Sequence, residues 1–189
     1  MVKRNPIDQT LPAGAILWET IAGEAESESP LWGQALLPRE ERELLPVFSA
    51  LGEERFALAL ETIYEGYLLH YGRPRLFAPE DADAAVLLGD YLYAHGLVRL
   101  ASHGDVGAVA DLAELISLCT QVRAEGLGGD GQAWAATAAL LGRGEERLER
   151  ARTALRLDRD PAPLALLATE AVGERPLGCA LDAHQTLVG

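Results

Sequence analysis

The chain has 189 residues, 29 acidic and 16 basic side chains, 49% apolar residues and two cysteines. That length fits one globular unit burying on the order of 70% of its unfolded surface, and the apolar content excludes disorder, because burial offsets the entropy of ordering. Cys119 and Cys179 are too few for a disulfide framework, and a formal net charge of −13, with 15 of the 16 basic residues Arg, repels phosphate backbones and anionic lipid, so nucleic acid is not an expected partner.

The opening Met-Val-Lys-Arg-Asn-Pro leads into no long apolar run, and the richest stretch, Ala84 to Val98, is interrupted by Asp90 and His95. Neither a secretory signal nor a membrane span is expected, and the expected location is the cytoplasm. Alternating runs of Val, Ile and Thr are absent, while Gly and Pro cut the chain into helix-sized pieces, so the pattern predicts an all-α protein: a single helical domain over 1–189.

In chain order, a first helix is predicted near Ala13 to Gly23 after Pro12, and a short one near Leu31 to Leu37 after Pro30, since Pro suits a helix start. A long helix from about Gly52 to Tyr71 carries Phe56, Leu60, Ile63, Tyr67 and His70 on one stripe, with Gly72 as its C-terminal cap. The turn Arg73-Pro74-Arg75 follows, and then a helix from about Pro79 to Ser102. Glu80, Asp81 and Asp83 in its first turn suit the positive end of the helix dipole, and from Ala84 onward it is apolar nearly all round, as expected of a central buried helix. Asp105 reads as the N-cap of a helix through Glu125 closed by Gly126. After a glycine-rich break, four shorter helices are predicted near Gln132 to Leu141, Glu145 to Asp158, Pro161 to Val172 and Leu177 to Leu187.

Charge is uneven along this order. Residues 1–60 hold five basic and ten acidic groups, 61–130 hold four and eleven, and 131–189 hold seven and eight, giving −5, −7 and −1. Chemistry in the acidic middle has few recognisable carriers. There is no Cys-x-x-Cys, no His-Glu-x-x-His, no phosphate-cradling glycine loop with Lys and no Gly-x-Ser-x-Gly elbow, so no cofactor is expected. His70, His95, His103 and His184 do not pair at i, i+4, and Cys119 sits in an apolar run as a small core residue. Glu61 and Glu65, four apart, share a helix face. They read either as a weak metal-binding pair or as a solvated or Arg-paired face. Asp81 and Asp83 point to different sides and fit the dipole role better.

The segment Ala59-Leu60-Glu61-Thr62-Ile63-Tyr64-Glu65-Gly66-Tyr67-Leu68-Leu69-His70, followed by Ala85-Val86-Leu87-Leu88-Gly89-Asp90-Tyr91-Leu92-Tyr93-Ala94, resembles the trans-isoprenyl diphosphate synthases over about residues 53–126. Those enzymes carry a helix ending in Leu-Ile-His-Asp-Asp and a later Ala-Val-Leu-x-Gly-Asp-Tyr-Leu. If His70 matches their His, the metal-binding aspartates fall on Tyr71, Gly72 and Arg75, and the resemblance leaves Mg²⁺ without ligands. Ionising an allylic diphosphate needs metal ions on the departing group, and no second aspartate-rich motif follows. The departures make the chain similar to the non-catalytic component I subunits of heptaprenyl diphosphate synthase, members of isoprenoid and menaquinone biosynthesis. What the resemblance implies is a helical bundle like a truncated isoprenoid synthase fold, with no catalytic and no metal-binding residues. It also implies that Tyr67, His70, Arg73 and Arg75 are remnants of substrate binding.

Several residues keep two readings. Asp90, between Leu88 and Leu92, reads as a buried carboxylate anchored by Arg or Tyr, in which case Asp90→Leu would cost on the order of 3 kcal/mol. Gly89 and Gly96 mark a face of close helix approach, either within the chain or, with Glu61, Asp90 and Tyr93, at a subunit interface. Tyr64, Tyr67, Tyr71, Tyr91 and Tyr93 line a pocket or belong to the core. The helical C-terminal part, about 131–189, contains Ala139 to Asp158, which looks like one tetratricopeptide hairpin whose arginines, mostly between 143 and 159, either dock an acidic partner or pair with Glu145, Glu146 and Glu149. Two functions follow: a non-catalytic modulating subunit of a catalytic prenyl synthase, homodimeric alone and heterodimeric with that synthase, or a helical scaffold without prenyl chemistry.

Overall fold

A computed structural model describes the backbone of residues 13–189 and the side chains from Ile16 onward. Pro12 and the opening segment lie outside the described residues. The described chain is all helical: α1 (Ala13–Glu28), α2 (Pro30–Gln34), α3 (Ala57–Tyr71), α4 (Ala82–Ser102), α5 (Val106–Ala124), α6 (Asp130–Leu140), α7 (Glu146–Thr153), α8 (Ala162–Val172) and α9 (Glu174–Val188). Between α2 and α3 the chain runs through three short 3₁₀ turns, and a π-helical turn, Ala154–Asp158, extends α7. Leu36 and Phe77 form an isolated antiparallel bridge, tying the segment after α2 to the one after α3.

Local chemistry sets most ends. The Ser29 hydroxyl accepts from Leu31 N at 3.2 Å with Pro30 in the first turn of α2, and the Asp81 carboxylate accepts from Ala84 N at 2.8 Å, which fixes the start of α4 at Ala82, three residues after Pro79. Asp105 precedes α5 without capping it, because its carboxylate is drawn to Arg55 at 3.0 Å. Gly126 ends that helix with φ +66°, a conformation glycine adopts without steric cost.

The centre of the molecule lies between α3 and α6, which meet through the rings of Tyr64, Tyr67 and Trp134. Every residue of α3 from Ala59 to Leu69 is buried, so the single stripe expected there widens to the whole circumference. In α6 the small residues Ala133, Ala135, Ala136, Ala138 and Ala139 let α5, α7, α8 and α9 close around it, with Trp134 fully buried. Burying such a side chain contributes about 3 kcal/mol.

The expectation that α4 is the central buried helix is corrected. It lies antiparallel on α3 through Leu88, Gly89, Leu92, Gly96 and Leu100, while Val86, Leu87 and Val98 are exposed. Glycine makes this one-sided seat possible: a Cβ at Gly89 would stand 2.6 Å from His70 Nε2 and 3.1 Å from the Gly66 carbonyl oxygen, and one at Gly96 would overlap Ile63. The close-approach face of Gly89 and Gly96 is therefore occupied by α3 within the chain.

Candidate functional site

The residues singled out by the resemblance gather at the C-terminal end of α3 and in the turn that follows. There the chain folds back along α3, which brings Arg75 against Glu61 and Glu65, one helical turn apart. Arg75 is 1% exposed and both glutamates are fully buried. Arg75 NH1 donates to Glu61 Oε2 at 2.8 Å and to the Leu45 carbonyl at 2.9 Å, and its Nε donates to Glu65 Oε2 at 3.0 Å. Backbone amides complete the coordination: Val47 and Ser49 donate to Glu61, and Arg75 and Leu76 donate to Glu65. NH2 of Arg75 has no hydrogen-bond acceptor, and the guanidinium lies over the rings of Trp18 and Tyr64 at 4.7 and 5.0 Å. Burial pushes the Glu65 carboxyl upward against the opposing pull of Arg75 and the two amides.

A second network crosses the core from the other side of α3. Asp130, at the start of α6, accepts from Tyr67 Oη and, at 2.6 Å, from Arg123 NH2, with His184 Nε2 at 3.2 Å. Tyr64 Oη meets His184 Nδ1 at 2.8 Å, and Arg123 Nε donates to Tyr67 Oη at 2.8 Å. Burial raises the Asp130 carboxyl, but the hydrogen bonds from His184 and Tyr67 and the charges of His184 and Arg123 outweigh it and hold the group well below the ordinary carboxylate range. Burial pushes the phenols of Tyr64 and Tyr67 far above their usual value. Around them Phe48, Tyr64, Tyr67, Trp134 and His184 pack edge-to-face and stacked, with centroids 5.0–6.0 Å apart.

These placements revise the candidate set. Arg75 and Tyr67 are not open to a diphosphate: the first is neutralised by two buried carboxylates and the second is sealed in the core by Asp130. Of Glu61's readings, the Arg-paired one holds and the solvated one does not. His70 is half-buried, stacked on Tyr93 at 5.1 Å, with Nε2 3.2 Å from Asp90 Oδ1. Asp90 itself is corrected from buried to exposed: its side chain is 65% accessible, at the solvent edge of the α3–α4 contact beside His70. Arg73 is exposed, pairs with Glu43, and lines a surface cleft of about 510 Å³ with Leu37, Leu69 and Phe77. Of the tyrosines, Tyr64 and Tyr67 belong to the core, and Tyr71 and Tyr93 pack at its edge.

Sequence reasoning missed Asp130, Arg123 and Trp18, and left His184 unassigned. The last was legible, since Leu177, Ala180, His184 and Leu187 recur at helical spacing on α9 and are its buried residues. Among the described residues no three His, Cys, Asp or Glu side chains converge where they could hold a metal ion. The arginines between 147 and 159 pair with acids, among them Arg147 with Glu170 at 2.7 Å, Arg152 with Asp111 at 3.2 Å, and Arg156 with Glu114. No helix of the described chain is long and apolar enough to cross a membrane. No family model, curated protein or solved structure matches the chain.

Proposed function

We propose that the chain is a non-catalytic, prenyl-synthase-like subunit that binds a catalytic polyprenyl diphosphate synthase and modulates its product length. The observation that carries this reading is the state of the α3 terminus. Where the resemblance puts metal-binding aspartates stand Tyr71, Gly72 and Arg75, and Arg75 is itself bound to the buried carboxylates of Glu61 and Glu65. A diphosphate with Mg²⁺ needs open carboxylate oxygens, and this end of the bundle offers a closed ion cluster. The second reading, a helical scaffold without prenyl chemistry, draws on the filled aromatic core around Trp134 and on the acid-paired arginines of α7.

Two measurements test the proposal. The purified chain, given isopentenyl and allylic diphosphates with Mg²⁺, is expected to form no product; turnover abolished by a chelator would overturn the non-catalytic reading. Co-expression with a long-chain prenyl synthase of the same organism is expected to give a stable complex with altered product length. Failure to associate, together with unchanged products, moves the assignment to the scaffold.

A further inference from the structure

The side of α4 that faces away from α3 is an ordered surface. Asp83, Val86, Leu87, Asp90, Ala94 and Val98 recur at three- and four-residue spacing and are all exposed, Leu87 at 57% and Val98 at 65%. Val86, Leu87, Ala94 and Val98 make this stripe apolar over roughly 18 Å at 1.5 Å per residue, with Asp83 at its N-terminal end and Asp90 within it. Beside its N-terminal end, a slot of about 60 Å³ opens between α2 and α4, lined by Leu31, Trp32, Ala35, Pro79 and Ala84. Gln34 and the exposed Glu80 and Asp81 complete that lining. Ala84 lies three residues before Leu87, so slot and stripe are neighbours on one helical surface.

The charged groups in this surface are of one sign: Glu80, Asp81, Asp83 and Asp90. We propose that the surface docks an amphipathic helix of a different protein, one that carries large apolar residues at helical spacing with Lys or Arg beside them. An apolar stripe rimmed by charge is the form such sites take, and complementary charge fixes partner and register more than it adds affinity. A second copy is the poorer occupant: it brings the same acids and no lysine to this surface, and two chains of formal charge −13 repel one another. An anionic lipid surface is repelled for the same reason. The argument uses only exposure, shape and charge and stands apart from the prenyl-synthase reading.

The test uses a fluorescent amphipathic peptide of about five helical turns, leucines on one face and lysines beside them, and its counterpart with glutamates for the lysines. Anisotropy titrations are run on the full chain and on two independent surface variants, Leu87→Lys and the double variant Glu80→Lys/Asp83→Lys, which leaves the Asp81 cap in place. A control, Glu174→Lys/Asp182→Lys on α9, changes net charge as much as the double variant does. Saturable binding of the lysine peptide, none of the glutamate peptide, and about tenfold or greater weakening by each α4 variant are expected, with the control within about twofold of wild type. Equal weakening by the control, equal binding of the two peptides, absence of saturation, or self-association abolished by Leu87→Lys in light scattering would each overturn the proposal. No synthase enters the titration, so this result and the co-expression result fail separately.

Discussion

Replacing Arg75 by Met removes the one cation from a site that holds two fully buried carboxylates. The side chain keeps similar bulk, so the cavity term is small and the electrostatic term dominates. Glu61 loses its 2.8 Å donor and keeps the Val47 and Ser49 amides at 3.2 Å; Glu65 loses its 3.0 Å donor and keeps the Arg75 and Leu76 amides at 2.7 Å. Breaking a buried pair by deleting one partner costs about 3–5 kcal/mol, and two stranded carboxylates place this case near the upper end, a large share of the 5–15 kcal/mol typical of a domain. At roughly 2–4 °C per kcal/mol for a chain of this size, the melting temperature at pH 7.5 falls by about 10–15 °C. The loss is pH-dependent. Burial already raises the Glu65 carboxyl in the folded protein, and without Arg75 it is raised further above its unfolded value of about 4.3. Stability that is present below that value is lost as pH rises through the folded pKa, so the deficit shrinks on acidification toward about pH 4.5. Thermal melts followed by circular dichroism across pH 4.5–8 measure both effects. A variant melting within about 2 °C of wild type at neutral pH, or a deficit that grows on acidification, would refute the assignment of Arg75 as the counter-charge of Glu61 and Glu65.

Asp130→Asn is expected to destabilise at pH 7 by about 3 kcal/mol, since Tyr67, Arg123 and His184 lose their common anion; because the folded Asp130 is held low, its contribution is present above its unfolded value of about 3.9 and is lost below it, so urea melts should show the gap narrowing as pH falls through 4. Gly89→Ala is expected to cost about 1–3 kcal/mol by forcing His70 and the α3 backbone away, whereas Gly178→Ala, where a Cβ meets nothing within 4 Å on α9, should stabilise by about 0.5–1 kcal/mol; a single set of denaturant titrations compares them. Asp90→Leu is expected to shift stability by less than about 1 kcal/mol, because an exposed carboxylate near His70 is a surface pair, and a loss near 3 kcal/mol in the same titrations would restore the buried reading.

What the sequence by itself determined was local. The all-α class, the approximate place of each helix after α2 and the Gly126 stop follow from interactions within a few residues, which periodicity and capping report directly, whereas Asp81, read inside a first turn from Pro79, is the cap before Ala82. The acid-paired reading of the C-terminal arginines was also legible, through the glutamates interleaved with them, although most of the observed partners lie on α5 and α8. The tertiary structure alone decided which apolar helix is central. A helix that is apolar all round offers several faces, and composition does not say how many are covered: α3 is enclosed, while α4, which looked more apolar, has glycine against α3 and leucine and valine toward solvent. The same holds for the polar core. Glu61 and Glu65 were recognisable as a pair on one face, but their cation comes from a turn that folds back along the helix, and Asp130 meets a histidine 54 residues away. Pairings of that kind depend on how helices stack in space, and a hydrophobic period records only that a face is buried, not which neighbour buries it.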